Sequence, residues 1–66
     1  MLYRTKEQAE QGALDTLHDA KRDPETGNIW GRATMFGALG KVYVKTVKAA
    51  TLDGRIVKRY DFYLGG

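Results

Sequence analysis

Two ten-residue segments on either side of Asp53-Gly54 constrain this chain more than any other feature. "KVYVKTVKAA", residues 41–50, and "RIVKRYDFYL", residues 55–64, alternate in polarity and are rich in Val, Tyr and Phe. That is the pattern of half-buried strands, and an Asp-Gly step between two such runs is a hairpin turn. Loop length then decides which side chains share a face, because a one-residue slip sends every side chain to the other side. A two-residue turn sets Lys48 against Arg59 and Phe62 against Lys45, both poor pairings. A three-residue loop, with Gly54 as the left-handed bulge residue, sets Thr51 against Arg55 instead. Val44 then meets Phe62, Val42 meets Leu64, Tyr43 meets Tyr63 and Lys45 meets Asp61. Each cross-strand pair contributes only about 0.2–1 kcal/mol, but these agree with one another, so the three-residue loop is predicted. Its cost is Lys48 opposite Lys58 on the inner side, tolerable where the hairpin tip projects beyond its cover.

The preceding stretch "NIWGRATMF", residues 28–36, predicts a third strand, joined through the turn "GALG" with Phe36 opposite Lys41. One face then carries Val42, Val44, Thr46, Ala50, Ile56, Tyr60, Phe62 and Leu64 together with Ile29, Gly31, Ala33 and Met35. That is the predicted core face, with Phe62 and Val44 buried. The other carries Trp30, Arg32, Thr34, Phe36, Tyr43, Lys45, Val47, Val57, Arg59, Asp61 and Tyr63.

"TKEQAEQGALDTLHDAKR" predicts a helix over about residues 6–21. Thr5 is placed as N-cap, with Gln8 completing a capping box. Glu7 in the first turn, and Lys21 and Arg22 in the last, suit the helix dipole. Ala9, Ala13, Leu14, Leu17 and Ala20 share one narrow face at helical spacing, so whatever packs there comes close. Gly12 costs such a helix about 1 kcal/mol relative to Ala. "DPETG" then reverses the chain. Pro24 disfavours helical backbone at Asp23 and presets a type I turn, and Gly27 supplies a positive φ on leaving it. The predicted fold is α+β, with one N-terminal helix packed on one face of a three-stranded antiparallel β-meander. It forms a single small domain over residues 1–66, with a short extra N-terminal strand at "MLYR".

A chain of this length buries only about 60% of the surface its unfolded form exposes, so the core is thin. It has no cysteine, hence no disulfide framework or thiolate zinc site to compensate. No apolar run approaches the roughly 18 residues of a membrane span, and "MLYRTKEQAE" turns polar too soon for a signal peptide. A soluble, cytoplasmic protein without a membrane role is expected.

Catalytic chemistry finds little support. There is no Ser or Cys nucleophile, and His18 is the only histidine. Asp15 and Asp19, four residues apart, read as a solvated helix face. "GALGK" fails as a phosphate loop, because Met35 stands where the pattern needs Gly and Val42 where it needs Ser or Thr. The expectation is no enzyme, no cofactor, no metal and no small-molecule substrate.

Charge is divided unevenly. Residues 1–26 hold four basic and six acidic side chains, net −2, and residues 27–66 hold seven and two, net +5. With the helix on the core face, the second sheet face is left uncovered. It carries the candidate partner-binding residues Trp30, Arg32, Tyr43, Lys45, Arg59 and Tyr63. In the favoured reading the basic residues contact phosphates and the aromatics stack or wedge, making the chain a non-enzymatic binding module for nucleic acid. Trp, Tyr and Arg are also the residues of protein–protein hot spots, so a protein partner with an acidic surface is the first alternative. A homodimer burying this face to enlarge the core is the second.

"DPETGNIWGR" is similar over about ten residues to the "DP..G..W.G.GR" stretch in the DNA-binding domain of H-NS-like nucleoid proteins. It departs where that family has a second Gly-Arg step, since Gly31-Arg32 is followed here by Ala33-Thr34, and no function carries over. "LGG" at the C-terminus resembles the end of ubiquitin-like sulfur carriers, which open with a long hairpin where this chain has only "MLYR". In size and architecture the chain resembles phage or mobile-element inhibitors of host defence, such as anti-CRISPR proteins. That resemblance implies docking on a host protein complex through the same face.

Overall fold

The computed structural model describes residues 2–65. Along the chain lie α1 (Lys6–Thr16), β1 (His18–Arg22), β2 (Ile29–Arg32), β3 (Gly40–Ala50) and β4 (Ile56–Gly65). The strands form one antiparallel sheet in the order β1-β2-β3-β4, and α1 packs on one face of it. The fold is α+β as expected, with the meander extended by a fourth strand.

The β3–β4 hairpin has the predicted register throughout. Val44 faces Phe62, Val42 faces Leu64, Tyr43 faces Tyr63, Lys45 faces Asp61 and Lys48 faces Lys58. The loop closes through Thr51 N–H to Arg55 C=O at 2.8 Å and Gly54 N–H to Thr51 C=O at 3.0 Å, with Gly54 at φ 86°. The Asp53 carboxylate accepts from the Thr51 hydroxyl. That bond is the main cause holding the Asp53 carboxyl below its ordinary value, reinforced by bonding to Arg55.

The helix begins as expected. Thr5 Oγ1 accepts from the Gln8 N–H at 3.1 Å, and Gln8 Oε1 accepts from the Arg4 N–H at 3.1 Å, one residue earlier than in a standard capping box. It ends five residues short of the prediction. Leu17 is already extended at ψ 149°, and residues 18–22, expected as the last helical turn, form β1. The cause is the turn that follows. Asp23 N–H donates to Asn28 C=O and Gly27 N–H to Asp23 C=O, both at 2.7 Å, so "DPETG" joins two strands rather than a helix and a strand. Arg22 pairs with Ile29 and Lys21 with Trp30. Backbone bonds to β2 outweigh a few tenths of a kcal/mol of helix propensity per residue. Leu17 and Ala20 therefore leave the helix and pack over Gly31, where an added Cβ would lie 2.9 Å from Leu17 Cβ. Asp15 stays on α1, bonded to Gln11, while Asp19 sits in the β1 bulge at φ 55°.

The third predicted strand is shortened too. β2 stops at Arg32, and Trp30, not Phe36, faces Lys41. The shift is six residues, an even number, so Ile29 and Gly31 keep the core face and Trp30 and Arg32 the other. Residues 33–39 instead form a loop closed by Gly37 N–H to Thr34 C=O at 3.1 Å. Ala33 and Met35 are thus exposed rather than core. The N-terminal strand is a single bridge, Tyr3 to Tyr60, on the outer edge of β4. Met1 and Gly66, the ends of that segment and of the "LGG" tail, lie outside the described residues.

The core is as thin as the length implies. Among the described residues the buried apolar side chains are Ala9, Ala13 and Ile29, and Val44 and Phe62, predicted as buried, are half-buried. Tyr3 completes the layer. Its ring lies 6.2 Å from that of Phe62 and covers the helix at Gly12, where any Cβ would strike the phenol. Gly12 is the clearance for Tyr3. Gly12→Ala should therefore lower stability by about 1 kcal/mol in urea unfolding, the lost Tyr3 packing exceeding the roughly 1 kcal/mol of propensity gained. In a Tyr3→Ala background the same substitution should raise stability by about 1 kcal/mol. Equal effects in both backgrounds would contradict this packing. Phe62→Ala should cost about 2–3 kcal/mol, below the 3–5 of a fully buried Phe, because part of the ring already meets solvent.

Candidate functional site

The sheet face opposite α1 is uncovered. The β3–β4 register places Tyr43, Tyr63, Lys45, Asp61, Val47 and Arg59 on it, and the β2–β3 register adds Trp30 and Lys41. Lys21 faces Trp30 and His18 faces Arg32 across β1–β2, extending the same face to the sheet edge. All six sequence-predicted partner-binding residues therefore share one surface. From Trp30 to Arg59 the stripe runs about 23 Å, taking about 6.8 Å per pair of residues along the strands and about 4.8 Å between strands.

Its centre is aromatic. The Tyr43 and Tyr63 rings stack with centroids 5.5 Å apart and 22° between planes. Tyr43 leans over Gly65, where a Cβ would collide with the ring. Lys41 Nζ lies 5.2 Å from the Tyr43 centroid and Lys45 Nζ 5.9 Å from that of Tyr63, within cation–π range. The two Tyr and Trp30 remain between 37 and 47% exposed.

The basic residues differ in how far they are compensated. Arg32, half-buried, is held in an ion pair by Asp19 of the β1 bulge. Lys45 stands opposite Asp61, yet an Asp61 carboxylate oxygen accepts from the Phe62 N–H at 2.9 Å. Arg59 donates to the Lys58 carbonyl at 2.9 Å. Among the described residues the ion pairs are Arg22–Glu10, Arg32–Asp19 and Arg55–Asp53. Lys21, Lys41, Lys45 and Arg59 take part in none of these pairs; Asp61 stands opposite Lys45, and Asp19 and Asp23 line the hollow beside Lys21.

Sequence reasoning missed Lys21 and Lys41. The sequence reading places Lys21 in the last turn of the helix and Lys41 at the start of a strand, opposite Phe36. The alternation that carries Tyr43 and Lys45 also includes Lys41, and that signal was present. Beside Trp30 the surface hollows to about 500 Å³ between Pro24, Leu39 and the stems of Lys21 and Arg22. Next to it the 33–39 loop holds Met35 and Phe36 in solvent, Phe36 at 94% exposure.

No family model, curated protein or solved structure matches this chain. Within the described residues, no helix is long and apolar enough to cross a membrane.

Proposed function

We propose that this protein is a non-enzymatic nucleic-acid-binding module and that the uncovered sheet face is its binding surface. The observation that carries the reading is the set of four basic side chains outside the ion pairs of the described residues, Lys21, Lys41, Lys45 and Arg59, around Trp30 and the stacked Tyr43–Tyr63 pair. Phosphate contacts supply most of the affinity of such a surface, and the aromatic rings add flat apolar area against sugars and bases. Arg32 contributes position rather than free charge, because Asp19 already neutralises it.

The salt dependence of binding is the direct test. Four contacts less a partial offset from Asp61 make this face alone contribute a log–log slope of about −3 on duplex DNA and between about −2 and −3 on a single strand. Fluorescence anisotropy with labelled oligonucleotides over a salt series measures it. Trp30→Ala should weaken binding about fivefold with the slope unchanged, since the ring releases no counterions. Absence of binding to DNA or RNA at low salt would end this reading.

A second test uses Asp19. Asn tolerates left-handed backbone as well as Asp does, so Asp19→Asn keeps the bulge and frees Arg32. Affinity should rise and the duplex slope steepen by about 0.9. An unchanged slope would mean that Arg32 does not face the ligand.

One observation favours a protein partner instead. Met35, Phe36 and Leu39 are all exposed on the loop beside Trp30, an apolar group suited to a protein surface such as that of a host complex. On that reading Phe36→Ser and Trp30→Ala both abolish capture of the partner, and the chain alone is monomeric in light scattering. A dimer that dissociates on Trp30→Ala would point to self-association.

A further inference from the structure

The β3–β4 hairpin is far longer than the helix that covers it. Eleven residues of α1 span about 16 Å, whereas eleven residues of β3 span about 37 Å. On the helix side, Val42, Val44, Tyr60, Phe62 and Leu64 are half-buried, but Lys48, Ala50, Ile56 and Lys58 are exposed. Ile56 is 67% exposed although it lies on the core side of the sheet. Beyond the Thr46–Tyr60 pair the hairpin is therefore a two-stranded arm, bare on both faces.

The arm carries an unfavourable pair. Lys48 and Lys58 face each other directly, one from each strand, and like charges so placed repel. Neither has an acidic partner among the described residues. Arg55, by contrast, is held by Asp53 at 3.0 Å. A polyanion relieves the repulsion if it offers phosphate on both sides of the ribbon at once. A duplex groove does so, because its two walls are phosphate backbones. The major groove is about 12 Å wide and admits a two-stranded β-ribbon, whereas the minor groove, about 6 Å wide, does not.

Resting on the nucleic-acid reading above, we propose that the ligand is double-stranded DNA and that this arm enters its major groove. The side of the arm continuous with the basic sheet face points inward, so α1 stays on the far side from the duplex. Lys48 and Lys58, on the outer side of the ribbon, reach out to opposite phosphate walls, while Ala49 and Val57, themselves a cross-strand pair, meet the groove floor, where thymine methyl groups are apolar. The basic sheet face lies against the flanking backbone.

Anisotropy with a 20-base-pair duplex and with one of its single strands tests this. Two arm contacts added to the face should steepen the duplex slope to about −5, against between −2 and −3 on the single strand. Lys48→Gln/Lys58→Gln should bring the duplex slope back to about −3 and leave single-strand binding unchanged. Removing a repulsive pair keeps or raises the thermal midpoint, so lost folding does not confuse the result. Netropsin, a minor-groove ligand, should not displace the protein. A duplex slope near −3 that the double substitution does not change overturns the arm and leaves the face reading standing. So does displacement by netropsin, and so does polyglutamate that competes as well as duplex at equal charge. No binding to either oligonucleotide overturns both.

Discussion

The three-residue closure between β3 and β4 governs the rest of the molecule. Gly54 takes the left-handed conformation that a side chain resists, and Thr51 bonds to Arg55 across it. That residue count sends Val44 and Phe62 towards α1 and Tyr43 and Tyr63 away from it. One residue fewer would set Lys45 opposite Phe62 and Val44 opposite Tyr63, parting the two tyrosines to opposite faces and putting charge against the core. The core and the candidate binding surface are thus two consequences of one loop.

The second constraint is coverage. A single short helix shields only the proximal half of the hairpin and contributes mainly alanine to the contact. Scaling for a monomer of this mass gives about 4,200 Å² of accessible surface, whereas the chain exposes 5008 Å². Its radius of gyration of 13.3 Å compares with about 11 Å for a compact domain of the same length. The excess is the arm and the uncovered face. Close approach at Gly12 and Gly31 offsets part of the deficit by letting Tyr3 and Leu17 seal the layer without bulk.

What was legible in the sequence follows how local the deciding interactions are. The hairpin register could be read because many neighbouring pairs agreed on one answer, and the Thr5–Gln8 cap because it spans four residues. The end of the helix could not. Leu17 and Ala20 fit helical spacing equally well, and only hydrogen bonding to β2 makes residues 18–22 a strand. Met35 and Phe36 likewise continue the alternation of β2, although the chain leaves the sheet after Arg32. The parity of the faces survived because the register moved by an even number. For the same reason Trp30, Arg32, Tyr43, Lys45, Arg59 and Tyr63 fall on one surface although β2 was extended too far. The compensation of Arg32 was hidden, since Asp19 reaches it only through a bulge at positive φ.

The division of charge along the chain becomes a division between layers. The acidic excess of residues 1–26 lies largely in α1, where Glu7, Glu10 and Asp15 outnumber Lys6, and in the β1–β2 turn. The basic excess of residues 27–66 lies in β3 and β4. The molecule therefore has a negative side at the helix and a positive side across the open face and along the arm. Such a field orients the chain before contact, turning the helix away from a polyanion and the sheet towards it, over distances up to the Debye length of about 8–10 Å. The orientation needs no concave site, which a chain with so thin a core has little material to build. The fold leaves its widest and its longest surfaces uncovered on the side where the positive charge lies.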